Sequence, residues 1–323
     1  MKKEFLTLAH HYDVDCFSRQ IEWRASRKLN GWACFWDGGI TRGMVAAKVP
    51  WYYMGKDKPI TSTGLWTLGR GNKPKVVNVP DWWLDDLPRN VPVQGELWKN
   101  DDLEYVKSVC GRGISGRTDD RWRDITFMGY NVKPYSLLPV VPSIDMRSSP
   151  FYANCGWRQR NVKAQAHGGS VVWVTQHLVK SSTEFEKYFE DTVRKGWEGA
   201  MLVNPDGWYE DHRSYNLLKR KPVFEAEATV IGYEDGKTGK TIGKMGAVVA
   251  RIIWDEKVSS VPGGREGMVG SLATFGISGW CGDERDWDYI KRLYPIGSEI
   301  SFKYNGVTKE GIPVSANVLR GNQ

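Results

Sequence analysis

The stretch Arg24-Ala25-Ser26-Arg27-Lys28-Leu29-Asn30-Gly31 combines an amine with a turn able to present it. Gly31 lacks a Cβ and admits close approach, and Asn30 tolerates turn conformations, so the turn holds the Lys28 amine beside open backbone. A free lysine, with a pKa of about 10.4, is protonated at neutral pH and is a poor nucleophile. Neighbouring cations lower that value, and Arg24 and Arg27 lie close in sequence. The chemistry on offer is attack by an amine on an electrophile. The same four residues also describe an ordinary surface turn, and the rest of the chain must decide between the two. Two other patterns have chemical readings. His10 and His11 form a metal-binding pair only if further ligands join them, and none is nearby in sequence, so they read as surface or packing residues. Residues 99–121 are polar and Gly-rich with Arg112, Arg117 and Arg121 interspersed; they read either as a solvated loop or as a loop contacting phosphate.

The elements that would position these groups are mostly short strands. Apolar runs alternate with Gly and Asp from Trp32 to Pro50, and continue through Leu65–Leu68, a basic turn at Gly69–Lys73, Val76–Val79 and Val91–Leu97. Residues 80–88 read as a short helix or turn, and Ile125–Val132 as a strand. The clearest helix spans 182–195. Ser181 and Glu184 make a capping box, Phe185, Tyr188, Phe189 and Val193 an apolar stripe, and Gly196 a stop. Met201–Val203 and Tyr215–Leu218 come next as strands, which puts Glu198 at a helix–strand junction. Pro222 breaks the pattern and sets the boundary between residues 1–221 and 222–323. Beyond it the expected order is strand 224–233, strand 246–254, strand 267–275, helix 283–293, strand 298–304 and strand 314–319. Five strands with a helix between the third and fourth is the order of an OB-fold barrel.

A chain of 323 residues with 41% apolar and 26% charged residues has the composition of a globular protein with two cores. Its 16 Trp and 14 Tyr suit cores, stacking surfaces or both. The net charge is +7, which suits a polyanionic partner. That charge is unevenly spread. Residues 222–323 hold 12 Lys and Arg against 13 Asp and Glu, leaving 33 against 25 for residues 1–221. Five scattered cysteines without a Cys-x-x-Cys pair argue against a zinc site and a disulfide framework, and point to a reducing, cytoplasmic compartment. No stretch has the length of a membrane span, and the first residues lack the apolar run of a signal peptide.

Taken in order, Lys28-Leu29-Asn30-Gly31, Arg70 in its Gly-rich turn, Gly95-Glu96-Leu97, Phe127 to Tyr130-Asn131, Glu198-Gly199-Ala200-Met201 and Lys219-x-Lys221 resemble the covalent nucleotidyltransferases. This superfamily comprises ATP-dependent DNA ligases, RNA ligases and mRNA capping enzymes. Trp82-Trp83 with Leu87-Pro88 and Gly95-Glu96-Leu97-Trp98, and the end Ile300–Tyr304 with Gly311-Ile312-Pro313 and Leu319-Arg320-Gly321, resemble the small two-domain DNA ligases of phages and bacteria. The resemblance covers nearly the whole chain, best at 20–36, 65–98, 172–222 and 297–321. It implies an α+β protein: a nucleotidyltransferase domain of antiparallel sheets with helices, ATP-grasp-like, over 1–221, then an OB-fold domain over 222–323.

The resemblance also implies roles. Lys28 attacks the α-phosphate of ATP and carries AMP, which passes to the 5′-phosphate at a nick in duplex DNA before the 3′-hydroxyl displaces it. Lys219 and Lys221, alternate residues of one strand, meet the phosphate with both ammonium groups. Glu198 is the candidate ligand for Mg²⁺ or Mn²⁺, since such ions prefer carboxylate oxygen. Arg70 and Glu96 bind the ribose hydroxyls, and Tyr130 or Phe127 stacks on adenine. Arg27, Arg42, Arg213 and Arg320 are candidate contacts to nucleic acid. A two-domain clamp of this kind suggests a monomer. Two departures stand out. Asn30 occupies a position usually held by Asp, and Ala33 one usually held by an Arg that reads the 5′-phosphate at the nick. They leave room for an RNA ligase or a non-catalytic nucleic-acid-binding relative as alternatives.

Overall fold

The computed structural model describes residues 6–19, 21–52, 60–69, 73–133, 171–210, 212–237, 241–280 and 282–319. The chain divides into two compact units. One comprises Met1–Phe189 with Ala200–Arg220, the other Glu190–Gly199 with Lys221–Gln323.

The first unit is built on two sheets. In chain order its elements are β1 (Leu8–His11), β2 (Arg24–Arg27), β3 (Trp32–Asp37), β4 (Leu65–Leu68), β5 (Pro74–Val76), α1 (Asp81–Asp85), β6 (Pro92–Trp98), α2 (Leu103–Cys110), β7 (Thr126–Val132), β8 (Val172–Trp173), β9 (His177–Leu178), α3 (Ser182–Arg194, of which the part from Glu190 on belongs to the second unit), β10 (Ala200–Val203) and β11 (Arg213–Arg220). The five-stranded sheet runs β1-β11-β10-β2-β9 and the six-stranded sheet β5-β4-β3-β6-β7-β8. Strands β3 to β7 pair antiparallel, as hairpin-rich sequence favours, with β8 added parallel to β7. The core against the six-stranded sheet is aromatic. Trp36, Trp66, Trp122, Phe35 and Phe127 are all fully buried, so much of the tryptophan content serves packing.

Residues 99–121, expected as a loop, contain a helix. Asp102 caps α2 by accepting the Tyr105 backbone N–H at 3.0 Å, and Val106, Val109 and Cys110 form its buried stripe. The arginines of this stretch make bonds at the protein surface. Arg112 and Arg121 both pair with Asp119, at 3.0 and 2.8 Å, and Arg117 bonds Asn78 and Thr61. Arg112 and Arg121 stay exposed, and Arg117 half-buried, while bonded to Asp119, Asn78 and Thr61. His10 is a packing residue, stacked on Tyr215 with ring centroids 3.8 Å apart.

Helix α3 matches its sequence signals closely. Ser181 Oγ accepts the Glu184 N–H at 3.2 Å, and the Glu184 carboxylate returns to the N–H of Lys180 at 2.6 Å, one residue before the expected cap. Phe185 and Phe189 are buried, and Gly196 takes a left-handed φ of 74° beyond the last turn.

The second unit carries β12 (Phe224–Asp235), β13 (Met245–Ile253), β14 (Leu272–Ile277), α4 (Trp287–Leu293), β15 (Glu299–Tyr304) and β16 (Asn317–Val318). Their sheet order is β14-β13-β12-β15-β16. The end of β14 meets β16 through a parallel bridge at Ser278 and Asn317, with Val318 N–H donating to Ser278 O at 2.7 Å. This contact joins the two edges of the sheet and closes an OB-type barrel around Val230, Val248, Ile277, Ile300 and Phe302. Three elements begin three or more residues later than expected, among them the last strand, expected over 314–319 and confined to Asn317–Val318. A 3-10 turn at Glu266–Met268 precedes β14, and another at Gly282–Arg285 precedes α4, whose cap is Asp286.

Candidate active site

A cavity of about 200 Å³ lies between the two sheets of the first unit. Its five-stranded wall comes from Leu8 and Ala9 of β1, Ser26 and Arg27 of β2, Met201 and Val203 of β10, and Leu217 and Lys219 of β11. Its six-stranded wall comes from Ala33 of β3, Glu96 of β6 and Tyr130 of β7. Lys28 and Leu29, directly after β2, complete the junction. Five of the residues singled out in the sequence, Arg27, Lys28, Glu96, Tyr130 and Lys219, therefore converge on one cavity.

The sequence builds this convergence through short strands and one glycine. Alternation along β11 puts Leu217 and Lys219 on the same face, and β11 pairs with β10 in the register Met201 to Lys219. Strand β10 also pairs with β2, Ala200 facing Arg27, which leaves Lys28 at the strand's exit. Gly31 lets the Lys28 turn pack against β6. A Cβ there would stand 2.6 Å from Leu97 O and 2.9 Å from a Glu96 carboxylate oxygen, so any side chain would push the turn off the sheet. The Lys28 ammonium donates to Leu29 O at 3.3 Å.

Tyr130 and Phe127, left as alternatives by the sequence, are separated by the structure. Phe127 is buried in the core beside Trp83, whereas Tyr130 lines the cavity and packs on Val203 and Leu217. Burial pushes the Tyr130 phenol well above its ordinary range, and the negative charge of Glu96 pushes in the same direction. Tyr130 is steadied by Gln94, which is 1% exposed. The Gln94 amide NH₂ donates to Tyr130 Oη at 3.2 Å and Thr7 O at 2.9 Å. Its oxygen accepts Thr7 N–H at 3.2 Å and Tyr209 O–H at 2.9 Å. Sequence reasoning missed Gln94; its signal was a polar residue on the same strand as Glu96, flanked by apolar partners.

The remaining candidates are distributed elsewhere. Strand β11 ends at Arg220, so Lys221 lies just beyond the strand that was expected to carry it. Within the second unit Lys221 Nζ pairs with Glu198 Oε1 at 2.5 Å. Glu198 sits in the link between α3 and β10, before Gly199, whose φ of 142° favours glycine. Among the described residues no three His, Cys, Asp or Glu side chains cluster as a metal site. Arg27, on the cavity wall and not elsewhere, pairs with Asp101 at 3.7 Å and lies 4.8 Å from the Trp98 ring centre. Arg42 is engaged by Asp81 and Asp85, each at 2.7 Å, a clamp onto α1. Arg213 heads β11 with its side chain exposed and donates to Ala9 O. Arg70 and Arg320 lie outside the described residues.

Comparison with known proteins places this geometry. No family model matches the chain. A solved structure of the Lig E DNA ligases, described as binding DNA with a minimal scaffold, superposes over 99% of both chains with a TM-score of 0.67 and 24% identity. The chain has a DNA-ligase fold. Among curated relatives, a DNA ligase of Haemophilus influenzae is 30% identical over 148 residues, 46% of each chain. The DNA ligase of Enterobacteria phage T4 is 21% identical over 238 residues, 67% of this chain and 47% of its own. The ligase-like chain thus matches about half or less of the length of these relatives. Among the described residues no helix is long and apolar enough to cross a membrane.

Proposed function

We propose that the protein is an ATP-dependent DNA ligase that seals nicks in duplex DNA through an AMP-lysine at Lys28. The observation that carries this reading is the convergence of Lys28, Lys219, Glu96 and Tyr130 on one cavity in a DNA-ligase fold. In the first step the Lys28 amine forms a bond to the α-phosphorus of ATP as the bond to pyrophosphate breaks. Lys219 balances charge on the phosphate, Glu96 takes the ribose hydroxyls, and Tyr130 offers its ring to adenine between apolar walls. AMP then passes to the 5′-phosphate of the nick, and the 3′-hydroxyl displaces it to close the backbone. The cavity fits a nucleotide: two ammonium groups, a guanidinium, a carboxylate and an aromatic ring stand on a lining otherwise largely apolar.

Residues 1–221 form the adenylation domain in this reading and 222–323 the OB-fold domain, acting as a monomer in the cytoplasm. Glu198 is the residue that would hold Mg²⁺. A single carboxylate suits an ion that keeps most of its water and gains phosphate ligands, and the ion would neutralise phosphate charge. Lys221 supplies a further cation, with Arg70 and Arg320 as the ribose and pyrophosphate candidates. Arg213 and Arg27 remain the candidate DNA contacts, while Arg42 is committed to α1.

Incubation of the wild type and Lys28→Ala with α-radiolabelled ATP and Mg²⁺, followed by denaturing electrophoresis, tests the first step. Label on the wild type alone is expected, and chase with nicked duplex DNA should convert it to sealed product. Absence of label after a pyrophosphate wash removes the enzyme reading. Label that is chased by single-stranded RNA ends and not by nicked DNA replaces the DNA ligase with an RNA ligase.

A further inference from the structure

We propose that Asp101 is a positioning residue for Lys28, clamping the nucleophile's turn on both sides, and that Asn30 is its matched partner. The inference rests on the reading of Lys28 as the adenylated residue. Asp101 lies outside the cavity lining, in the turn between β6 and α2. It comes directly after Asn100, and the two take left-handed φ values of 59° and 46°, unusual for residues other than glycine.

That turn directs three groups of Asp101 at the Lys28 segment. Oδ1 accepts the backbone N–H of Asn30 at 3.1 Å and the Trp98 indole N–H at 2.8 Å. Oδ2 faces the Arg27 guanidinium at 3.7 Å, and the Asp101 carbonyl accepts the Asn30 side-chain NH₂ at 3.0 Å. The residue before Lys28 and the residue two after it are thus tied to the same anchor. Trp98 holds that anchor through its N–H and meets Arg27 with its ring face.

Lysine carries its amine on a flexible four-carbon stem, so the attack geometry depends on how firmly the backbone beneath it is fixed. Asn30 gains a physical meaning here. Its amide donates to a carbonyl, whereas an ionised carboxylate at the same place would set two acceptors about 3 Å apart with no proton between them. The residue usual in the resembled ligases is therefore the wrong one for this chain, because Asp101 supplies the carboxylate from the other side of the turn.

The test uses the full chain and single-turnover labelling of Lys28 across ATP concentrations, with hydrogen exchange over residues 24–31 as a readout independent of activity. Asp101→Ala and Asn30→Asp should lower the labelling rate at saturating ATP by about 10- to 100-fold, the scale on which small misplacements act. The ATP concentration for half-maximal labelling should change less than about threefold, the signature of lost alignment rather than lost binding. Asp101→Asn, which keeps an acceptor oxygen and loses the charge facing Arg27, should fall between. Exchange at the Lys28 turn should accelerate in Asp101→Ala while the β6–β7 pair keeps its protection. A labelled wild type with unchanged rates in Asp101→Ala and Asn30→Asp overturns the positioning role alone. So does protection lost throughout the first unit, which would mark Asp101 as a general structural residue. A wild type that takes no label overturns the functional reading and leaves the clamp nothing to position.

Discussion

The five-stranded wall of the cavity brings Lys28 and Lys219, while the six-stranded wall brings Glu96 and Tyr130. The two walls are built differently. On the five-stranded side the cations stand at the exit of a four-residue strand and near the end of β11, where the backbone is about to turn away. On the six-stranded side the groups lie within seven-residue strands paired on both edges, and Gln94 ties Tyr130 inward with all four of its amide hydrogen bonds made. Under the proposed reading, reaction chemistry would sit on strand ends, which are free to be reshaped, and recognition on strand interiors, which hold a fixed shape.

Removing the cations should break that division most completely. Lys28→Ala leaves no nitrogen for the P–N bond, so labelling should disappear altogether. Lys219→Ala should keep the nucleophile and lower the labelling rate by about 10²- to 10³-fold, the usual loss when one preorganised charge is removed from a developing anion. Single-turnover rates measure both. A Lys219→Ala protein that lost ATP affinity in the same proportion as rate would move Lys219 to the recognition side.

Much of this arrangement was legible in the sequence, for identifiable reasons. Lys28, Glu96 and Lys219 stood out through their order along the chain, an Asn-Gly turn, then a Gly-Glu-Leu strand, then a Lys-x-Lys strand end, each of which alone is commonplace. The choice between Phe127 and Tyr130 stayed open in the sequence, because both are aromatic; strand alternation puts residues three apart on opposite sides but does not say which side is the core. Helix α2 was obscured because charges and glycines flank its short stripe of Val106, Val109 and Cys110. Asp101 was out of reach for another reason. It touches Asn30 across 71 positions of sequence, through a turn whose left-handed geometry no local pattern specified. The break between Lys219 and Lys221 is similar: strand alternation joined them, and the end of β11 at Arg220 separated them.

Asp37, at the end of β3, sharpens the contrast from the six-stranded side. Its carboxyl is fully buried, accepting from Thr41 and from Trp66 Nε1 at 3.0 Å, and burial raises it from 3.8 to about 6 in spite of these bonds. A carboxyl raised in the folded state favours folding while protonated. That contribution is full below the unfolded value near 3.8 and is lost as pH rises through about 6. The shift corresponds to about 3 kcal/mol at most, so urea unfolding of the wild type and Asp37→Asn should diverge by that order between pH 4 and pH 7.5, with the variant relatively more stable at the higher pH. A constant difference across that range would mean that the Asp37 site does not resist ionisation.

The smallest effect should come from Tyr130, where ring and hydroxyl can be separated. Tyr130→Phe keeps the ring on Val203 and Leu217 and removes one of the four partners of the Gln94 amide. A buried donor left without its acceptor costs about 1 to 3 kcal/mol, which should appear as a lower unfolding midpoint. ATP binding should scarcely change, because a stacking surface depends on the ring. Tyr130→Ala removes the ring as well, and should raise the ATP concentration for half-maximal labelling by about tenfold, the scale of one aromatic stacking contact, with the saturated rate kept. If Tyr130→Phe instead weakened ATP binding as much as Tyr130→Ala, the hydroxyl would be the recognising group. Gln94 would then orient a hydrogen bond to the nucleotide, and the six-stranded wall would read its ligand by polar contact as well as by shape.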